Sequence, residues 1–217
     1  MNLSAFHYII GVFLIILFSQ LVIRLVRYYY KFPIPACMVE LIDNPLRRRI
    51  QPPTEMPRRH GIKPGMTVLE VGPGNGTYTI ETARRIGPSG FLITVDIQPD
   101  VIKRVKTRAK IENITVLDGL VADVHHLPFS SDVFNATYMI AVIGEIPNPQ
   151  GAMHEFCRVL LPKGTLAFSE ILVDPDYPLT KTLEKWAGQA NFRLKEKMGN
   201  FFTYTLQFEN EKILVNR

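Results

Sequence analysis

Hydrophobic and polar residues follow three patterns along this chain. From Leu3 to Ile23 there is no Lys, Arg, Asp or Glu, and Ile9 to Phe18 is almost wholly aliphatic or aromatic. A helix rising ~1.5 Å per residue over such a run crosses the ~30 Å hydrocarbon layer of a bilayer. Tyr28, Tyr29, Tyr30 and Phe32 follow, where an interfacial aromatic belt sits. Arg24, Arg27 and Lys31 cluster on the same side, which by the positive-inside preference keeps the C-terminal bulk of the chain in the cytoplasm. A cleaved signal peptide carries a basic n-region and a small-residue cleavage site, and this run has neither. Residues 1–31 are therefore expected to be a single-pass transmembrane anchor.

The second pattern covers residues 32–60. Pro33, Pro35, Pro45, Pro52, Pro53 and Pro57 break it into short pieces and forbid a long helix. Between them, Cys37 to Ile50 is expected as a short helix with Met38, Leu41, Ile42 and Leu46 on one face. Arg47, Arg48 and Arg49 close it, and Arg58 and Arg59 follow. The segment reads either as a solvated connector or as an interfacial piece whose arginines meet anionic headgroups, at about 1 kcal/mol per basic residue. Adjacency to the anchor favours the second.

In the third pattern, residues 61–217, apolar runs alternate with helical stretches. Expected strands are Thr67–Val71, Phe91–Val95 ending in Asp96, Ile114–Leu117, Val133–Ile140 and Thr165–Glu170. Between them lie expected helices at Thr77–Ile86, Val101–Lys110 and Gln150–Leu160. This alternation predicts an α/β fold, a Rossmann-like doubly wound sheet, mostly parallel and covered on both faces. Ligands of such sheets bind outside the carboxyl ends of the strands.

Composition narrows the classes. The 217 residues suit one domain plus an appendage, and 47% hydrophobic with 21% charged residues excludes a disordered chain. Cys37 and Cys157 share no metal-like spacing, so a disulfide scaffold, a zinc ribbon and a metal site are all unexpected. Basicity is local: residues 24–63 hold nine Lys/Arg against three Asp/Glu, a net +6, whereas residues 64–217 hold sixteen against seventeen, a net −1. The main domain therefore lacks the basic stripe that nucleic-acid contact requires.

The turn Gly72-Pro73-Gly74-Asn75-Gly76 follows the first strand. In a nicotinamide-dinucleotide fingerprint the third glycine falls one residue later, where this chain has Thr77. Glu70, just before the turn, favours a ligand with an amino group and a positive charge over one carrying phosphates. Asp96 ends the second strand, where its carboxylate can accept both hydrogen bonds of a ribose diol. Asp123 follows the third strand, where it can accept from an adenine amino group.

Together, Val68-Leu69-Glu70-Val71-Gly72-Pro73-Gly74-Asn75-Gly76, Val95-Asp96-Ile97, Ala122-Asp123-Val124 with Leu127-Pro128-Phe129, and Glu155 to Leu166 resemble the motifs of class I S-adenosylmethionine-dependent methyltransferases. Lys163 stands where a glycine is commoner in that family. The resemblance runs over about residues 60–210 and is nearest in flavour to the ubiquinone/menaquinone C-methyltransferase branch. It implies S-adenosylmethionine as cofactor. It also implies that Gly72, Pro73, Gly74, Asn75 and Gly76 let the backbone approach the methionine portion and that Glu70 holds the amino group. Asp96 would take the ribose hydroxyls, Ile97 would pack on the adenine, and Asp123 with the Val124 amide would read the adenine edge. Ala141, in the loop after the fourth strand, completes the implied cofactor set.

Methyl transfer from a sulfonium needs positioning and exclusion of water, with a base only where the acceptor carries a proton. The loop Ala141 to Pro147 is expected to face the methyl group, and Glu145 is its best-placed ionisable residue. His126 is a second candidate base, with His125 beside it. Nucleobase amino-methyltransferases carry an Asp/Asn-Pro-Pro-aromatic run after strand four, where this chain has Met139-Ile140-Ala141-Val142. The anchor points instead to the bilayer as partner and to a lipid-like or prenylated quinone acceptor. A tethered enzyme for a soluble small molecule or a protein stays open, as does a non-catalytic cofactor-binding scaffold.

Overall fold

A run free of Lys, Arg, Asp and Glu as far as Ile23, with no proline before Pro33, lets α1 (Leu3–Tyr29) form one continuous helix of 27 residues. Its stretch His7–Tyr29 is long and apolar enough to cross a bilayer, and none of its most apolar window is buried in the protein. The computed structural model describes residues 3–212, so residues 1–2 of the expected anchor and 213–217 of the expected domain lie outside the described residues, as do the side chains of residues 3–6 and of Leu41.

The expected single helix over Cys37 to Ile50 is three short pieces: a 3₁₀ turn Ala36–Met38, α2 (Val39–Ile42) and α3 (Pro45–Ile50). Asn44 and Pro45 cause the break. Proline disfavours a helical residue before it but suits the first helical position, and the Asn44 side chain caps α3 by accepting from the Arg47 N–H at 3.0 Å. α4 (Met56–Arg59) follows.

The domain then runs β1 (Thr67–Val71), α5 (Thr77–Ile86), β2 (Phe91–Asp96), α6 (Pro99–Ile111), β3 (Leu117–Val121), β4 (Phe134–Ile140), α7 (Pro149–Val159), β5 (Leu160–Ile171), α8 (Thr180–Gln189), β6 (Phe192–Gly199) and β7 (Thr203–Asn210). The seven strands form one sheet in the order β3-β2-β1-β4-β5-β7-β6. β1 to β5 are parallel, and β7 is antiparallel between β5 and β6. Val71 pairs with Val95 on one side and Met139 on the other, so β1, β2 and β4 end nearly level. The chain reverses direction across the sheet between β1 and β4, which opens a crevice at that rim.

Two apolar layers cover the sheet. Phe134, Phe156, Phe168, Leu183 and Phe208 fill one face, under α7 and α8. Met56, Ile62, Tyr78, Ile86 and Tyr138 fill the other, under α4 and α5. Each such side chain contributes ~1.5–3 kcal/mol by leaving water.

Three expected boundaries move. β3 starts at Leu117 rather than Ile114, because pairing with β2 fixes the register (Leu92 opposite Leu117, Asp96 opposite Val121). Ile114 and Val116 instead pack against the second apolar layer. β5 begins at Leu160, with a register shift around Lys163, whose φ of 61° is the left-handed conformation that favours glycine. The expected linker also ends earlier than residue 60: Gln51, Met56 and His60 are buried. His60 Nε2 lies 2.7 Å from Ser169 Oγ and the ring stacks on Tyr138, so this histidine is part of the core. Burial pushes it down to about pKa 3, keeping it neutral.

Candidate active site

A cavity of about 390 Å³ opens at the level rim of β1, β2 and β4. Its floor comes from the loops that leave those strands. Gly72 turns the chain out of β1 with φ +67°, and a Cβ there would lie 2.6 Å from Val142 Cγ2, so only glycine lets the loop after β4 cross so closely. Glu70, Gly72, Pro73, Gly74, Asn75, Asp96, Ile97, Asp123, Val124 and Ala141 all line the cavity. Gly76 does not: at φ +82° it is the N-cap residue of α5, behind the turn. It starts the helix there.

Glu70 is buried against the cavity, and its Oε2 has no hydrogen-bond partner. Burial pushes its pKa up to about 7, opposed by the hydroxyls of Thr79, Tyr138 and Thr94, which act at a distance without completing a hydrogen bond. A buried carboxylate with an orphan oxygen is poised for an ammonium group. Asp96 lines the same wall. Burial raises its pKa, and its Oδ1 accepts the Gln98 N–H at 2.8 Å. Asp123 is exposed, and its Oδ1 accepts the His125 N–H at 2.9 Å and faces His125 Nδ1 at 2.8 Å. His125, clamped against Asn148 O at 3.2 Å, lines the cavity. His126, the second candidate base, is exposed and outside the lining.

The roof is the segment expected to face lipid or solvent. Pro33, Ile34, Val39, Ile42, Asp43 and Arg47 lie over the floor. Val39 Cγ1 stands 3.1 Å from where a Cβ on Gly74 would be. Asp43 accepts from Asn75 Nδ2 and Thr77 Oγ1, both at 2.5 Å, and from Arg48 at 2.9 Å. Half-burial alone would raise the Asp43 pKa, but these donors outweigh it and hold the carboxyl below its usual range. Gln98 ties roof to ribose wall: its side chain donates to Ile34 O at 3.0 Å and accepts from the Ala36 N–H at 3.1 Å.

Arg47 turns inward with its Nε buried and unpartnered. Among the described lining residues it is the only Lys or Arg, facing six carboxylates: Asp43, Glu70, Asp96, Asp123, Glu145 and Asp174. That places Arg47 to hold an anionic group, while Arg48 is committed to Asp43. Of the three arginines expected at the headgroups, Arg47 thus faces the cavity, whereas Arg48 is exposed and paired with Asp43.

Glu145 lies in the cavity wall as expected, but both of its oxygens face the N-terminal segment. Oε2 accepts the Ile34 N–H at 2.9 Å and Oε1 is 3.7 Å from Arg27. Burial pushes its pKa up to about 8, against the Ile34 hydrogen bond. Arg27 also pairs with buried Asp176 and stacks over Phe32 at 4.4 Å, and Lys31 reaches Asp176 at 3.1 Å. The last turns of α1 are thus joined to the cavity wall.

The residues fit S-adenosylmethionine. The orphan carboxylate oxygen of Glu70 suits its ammonium, Arg47 its carboxylate, Asp96 its ribose diol, and the Asp123–Val124 turn its adenine edge.

The model of a family described as a methyltransferase domain matches residues 62–211. The chain belongs to this family, the class I S-adenosylmethionine-dependent methyltransferases. An arsenite methyltransferase of Halobacterium salinarum is 28% identical over 117 residues, covering 54% of this chain and 30% of that protein. A ubiquinone/menaquinone biosynthesis C-methyltransferase of Idiomarina loihiensis is 26% identical over 143 residues, covering 64% of this chain and 54% of the relative. The match thus spans about half or less of these curated relatives. A solved methyltransferase of Aquifex aeolicus superposes with a TM-score of 0.76 at 18% identity, covering 82% of this chain and 100% of that one, and shows the shared fold.

Sequence reasoning about this methyltransferase found the floor and missed Asp43, Arg47, Gln98 and Asp174. None stands in a local motif. They become site residues only through contacts across tens of positions, such as Asp43 to Thr77 or Gln98 to Ile34.

Proposed function

We propose that this chain moves a methyl group from S-adenosylmethionine to a lipid-like or prenylated quinone acceptor at the surface of the membrane that α1 anchors it to. One observation carries the reading: the end of α1 reaches the cavity wall, where Arg27 lies 3.7 Å from Glu145 and is held there by its pair with buried Asp176. An acceptor confined to the bilayer then meets the cavity at high effective concentration without any new contact. The relatives titled ubiquinone/menaquinone C-methyltransferases support the same acceptor class. Bound there, S-adenosylmethionine would supply an electrophilic methyl group and retain the bonding electron pair on sulfur, while any proton on the acceptor would leave to a base or water.

The chain's own residues orient and exclude. Glu70 holds the methionine end of the cofactor, Asp96 its ribose and the Asp123–Val124 turn its adenine, while the roof of Pro33, Ile34, Val39 and Ile42 keeps water from the reacting centre. Glu145 holds that roof through Ile34. Its pKa of about 8 keeps it mostly protonated at neutral pH, so it holds the lid first and accepts a proton only as the pH rises.

Incubating the full chain in liposomes with methyl-labelled S-adenosylmethionine and extracting with organic solvent tests the reading. Label in the lipid fraction supports it. Label on protein moves the assignment to a protein acceptor, label in a water-soluble product to a tethered enzyme, and cofactor binding without transfer to a scaffold.

A further inference from the structure

Beside the end of α1, away from the cavity roof, two loops carry apolar side chains into solvent. Val173 and Leu179 in the loop between β5 and α8 are 70% and 54% exposed, and Phe201 and Phe202 at the β6–β7 turn are 59% and 66% exposed. The loops are joined: the Leu172 N–H donates to Phe202 O at 2.8 Å, and the Tyr177 hydroxyl donates to Phe201 O. The Phe201 and Phe202 rings meet edge to face at 5.8 Å, with Tyr177 against Phe201 at 6.2 Å. This is a braced apolar rim drawn from two distant parts of the chain, and such clusters mark interaction surfaces.

Its height along α1 is set by one bond. The Arg24 guanidinium donates to Leu172 O, the residue that also bonds to Phe202. Arg24 precedes Tyr29, where the helix ends, by five residues, or about 7.5 Å along the axis at 1.5 Å per residue. Apolar faces lying in a membrane interface sink ~5–10 Å into the headgroup and acyl boundary. On α1 itself, Leu21 and Leu25 flank Arg24 in the sequence and are exposed. Of the acidic groups in that loop, Asp176 is paired with Arg27 and Lys31, and Asp174 turns inward to accept the Asp176 N–H at 2.8 Å.

We propose that the rim of Val173, Leu179, Phe201 and Phe202 is a second membrane-contact surface, seated in the interfacial layer of the bilayer beside α1. The inference rests on reading α1 as a spanning helix and adds to it: the domain is held against the surface at two points rather than swinging on one tether. Two points fix its tilt, so the cavity keeps one aspect toward the lipid.

The test uses the full chain in vesicles of three parts phosphatidylcholine to one part phosphatidylglycerol. Trp186 is replaced by phenylalanine and Phe202→Trp supplies the single reporter, with Leu179→Trp as the second reporter should the first misfold. The expected result is blue-shifted emission, quenched more by lipids brominated near the headgroup end of the acyl chain than near its methyl end. Emission typical of water and no quenching, in protein that resists alkaline carbonate extraction, overturns the rim while leaving the anchor intact. Quenching in protein that carbonate extracts supports the rim and overturns the spanning helix. Blue-shifted emission without lipid quenching, together with cross-linked dimers, overturns it in favour of a second copy of the chain.

Discussion

The floor and the roof of the cavity are built differently. The floor is the level ends of β1, β2 and β4, set by parallel pairing over a buried sheet, and its polar groups sit within a few residues of a strand end. The roof has little regular structure. It is held by polar bonds to partners far along the chain: Ile34 to Glu145 and Gln98, Asp43 to Asn75 and Thr77, Arg27 to Asp176. A wall held by sheet pairing opens only with the fold, whereas one held by a few polar bonds opens locally at far lower cost. The floor is therefore preorganised, and the roof is the part that can admit a ligand.

Cutting the roof away at two places gives the largest effect. Removing residues 1–60 takes Met56, Gln51 and His60 out of the core, and Met56 alone is worth ~2–5 kcal/mol. Set against a total stability of ~5–15 kcal/mol, that truncation is expected to yield no cooperative thermal unfolding. Removing residues 1–31 spares those side chains, so a folded domain is expected, but with weaker binding of S-adenosylhomocysteine because Glu145 loses Arg27 and Asp176 loses both Arg27 and Lys31. Equal affinity in this shorter truncation and the full chain would break the link between α1 and the roof.

Next comes Arg27→Met in the full chain. Asp176 has only 3% of its side chain exposed, and leaving a buried charge without its main partner costs ~3–5 kcal/mol, softened by Lys31. Thermal unfolding in detergent should show most of that loss, and adding Asp176→Asn should recover much of it. No recovery in the double variant would mean the arginine acts by packing on Phe32 instead.

On the floor, Asp96→Ala is expected to weaken S-adenosylhomocysteine binding by about 2–4 kcal/mol with the melting temperature little changed, as calorimetric titration can read. Glu70 adds a pH signature. Its pKa near 7 means the free site is largely protonated below that pH, while an ammonium ion needs the carboxylate. Affinity should fall about tenfold for each pH unit below 7 and level off above it, about 1.4 kcal/mol per unit, and Glu70→Gln should flatten the profile. The smallest effect belongs to His126→Ala, exposed and outside the cavity: activity and stability should stay within about 0.5 kcal/mol. A large loss of activity there would return that histidine to the mechanism.

The sequence by itself determined the alternating elements, the cofactor-facing floor and the apolar span. Each is encoded by residues close together: the period of a strand, a glycine turn after it, an aspartate at the next strand's end, an unbroken apolar run. Even there, pairing had the final word on boundaries, moving β3 three residues on so that Asp96 and Val121 end together.

Only the tertiary structure decided what residues 32–60 are. Their prolines announced the absence of a long helix, and their arginines looked like a charged surface. Whether a guanidinium faces headgroups, a carboxylate or a cavity depends on what stands opposite it, and Asp43, Asp174 and Glu145 reach their positions from three separate parts of the chain. His60 shows the same limit. An isolated histidine beside two arginines gave no local sign that it would be buried against Ser169 and Tyr138, because both partners come from strands over seventy residues further on. Local order is written in the periodicity of the sequence, whereas the pairing of distant polar groups is fixed only when the sheet brings them together and removes the water between them.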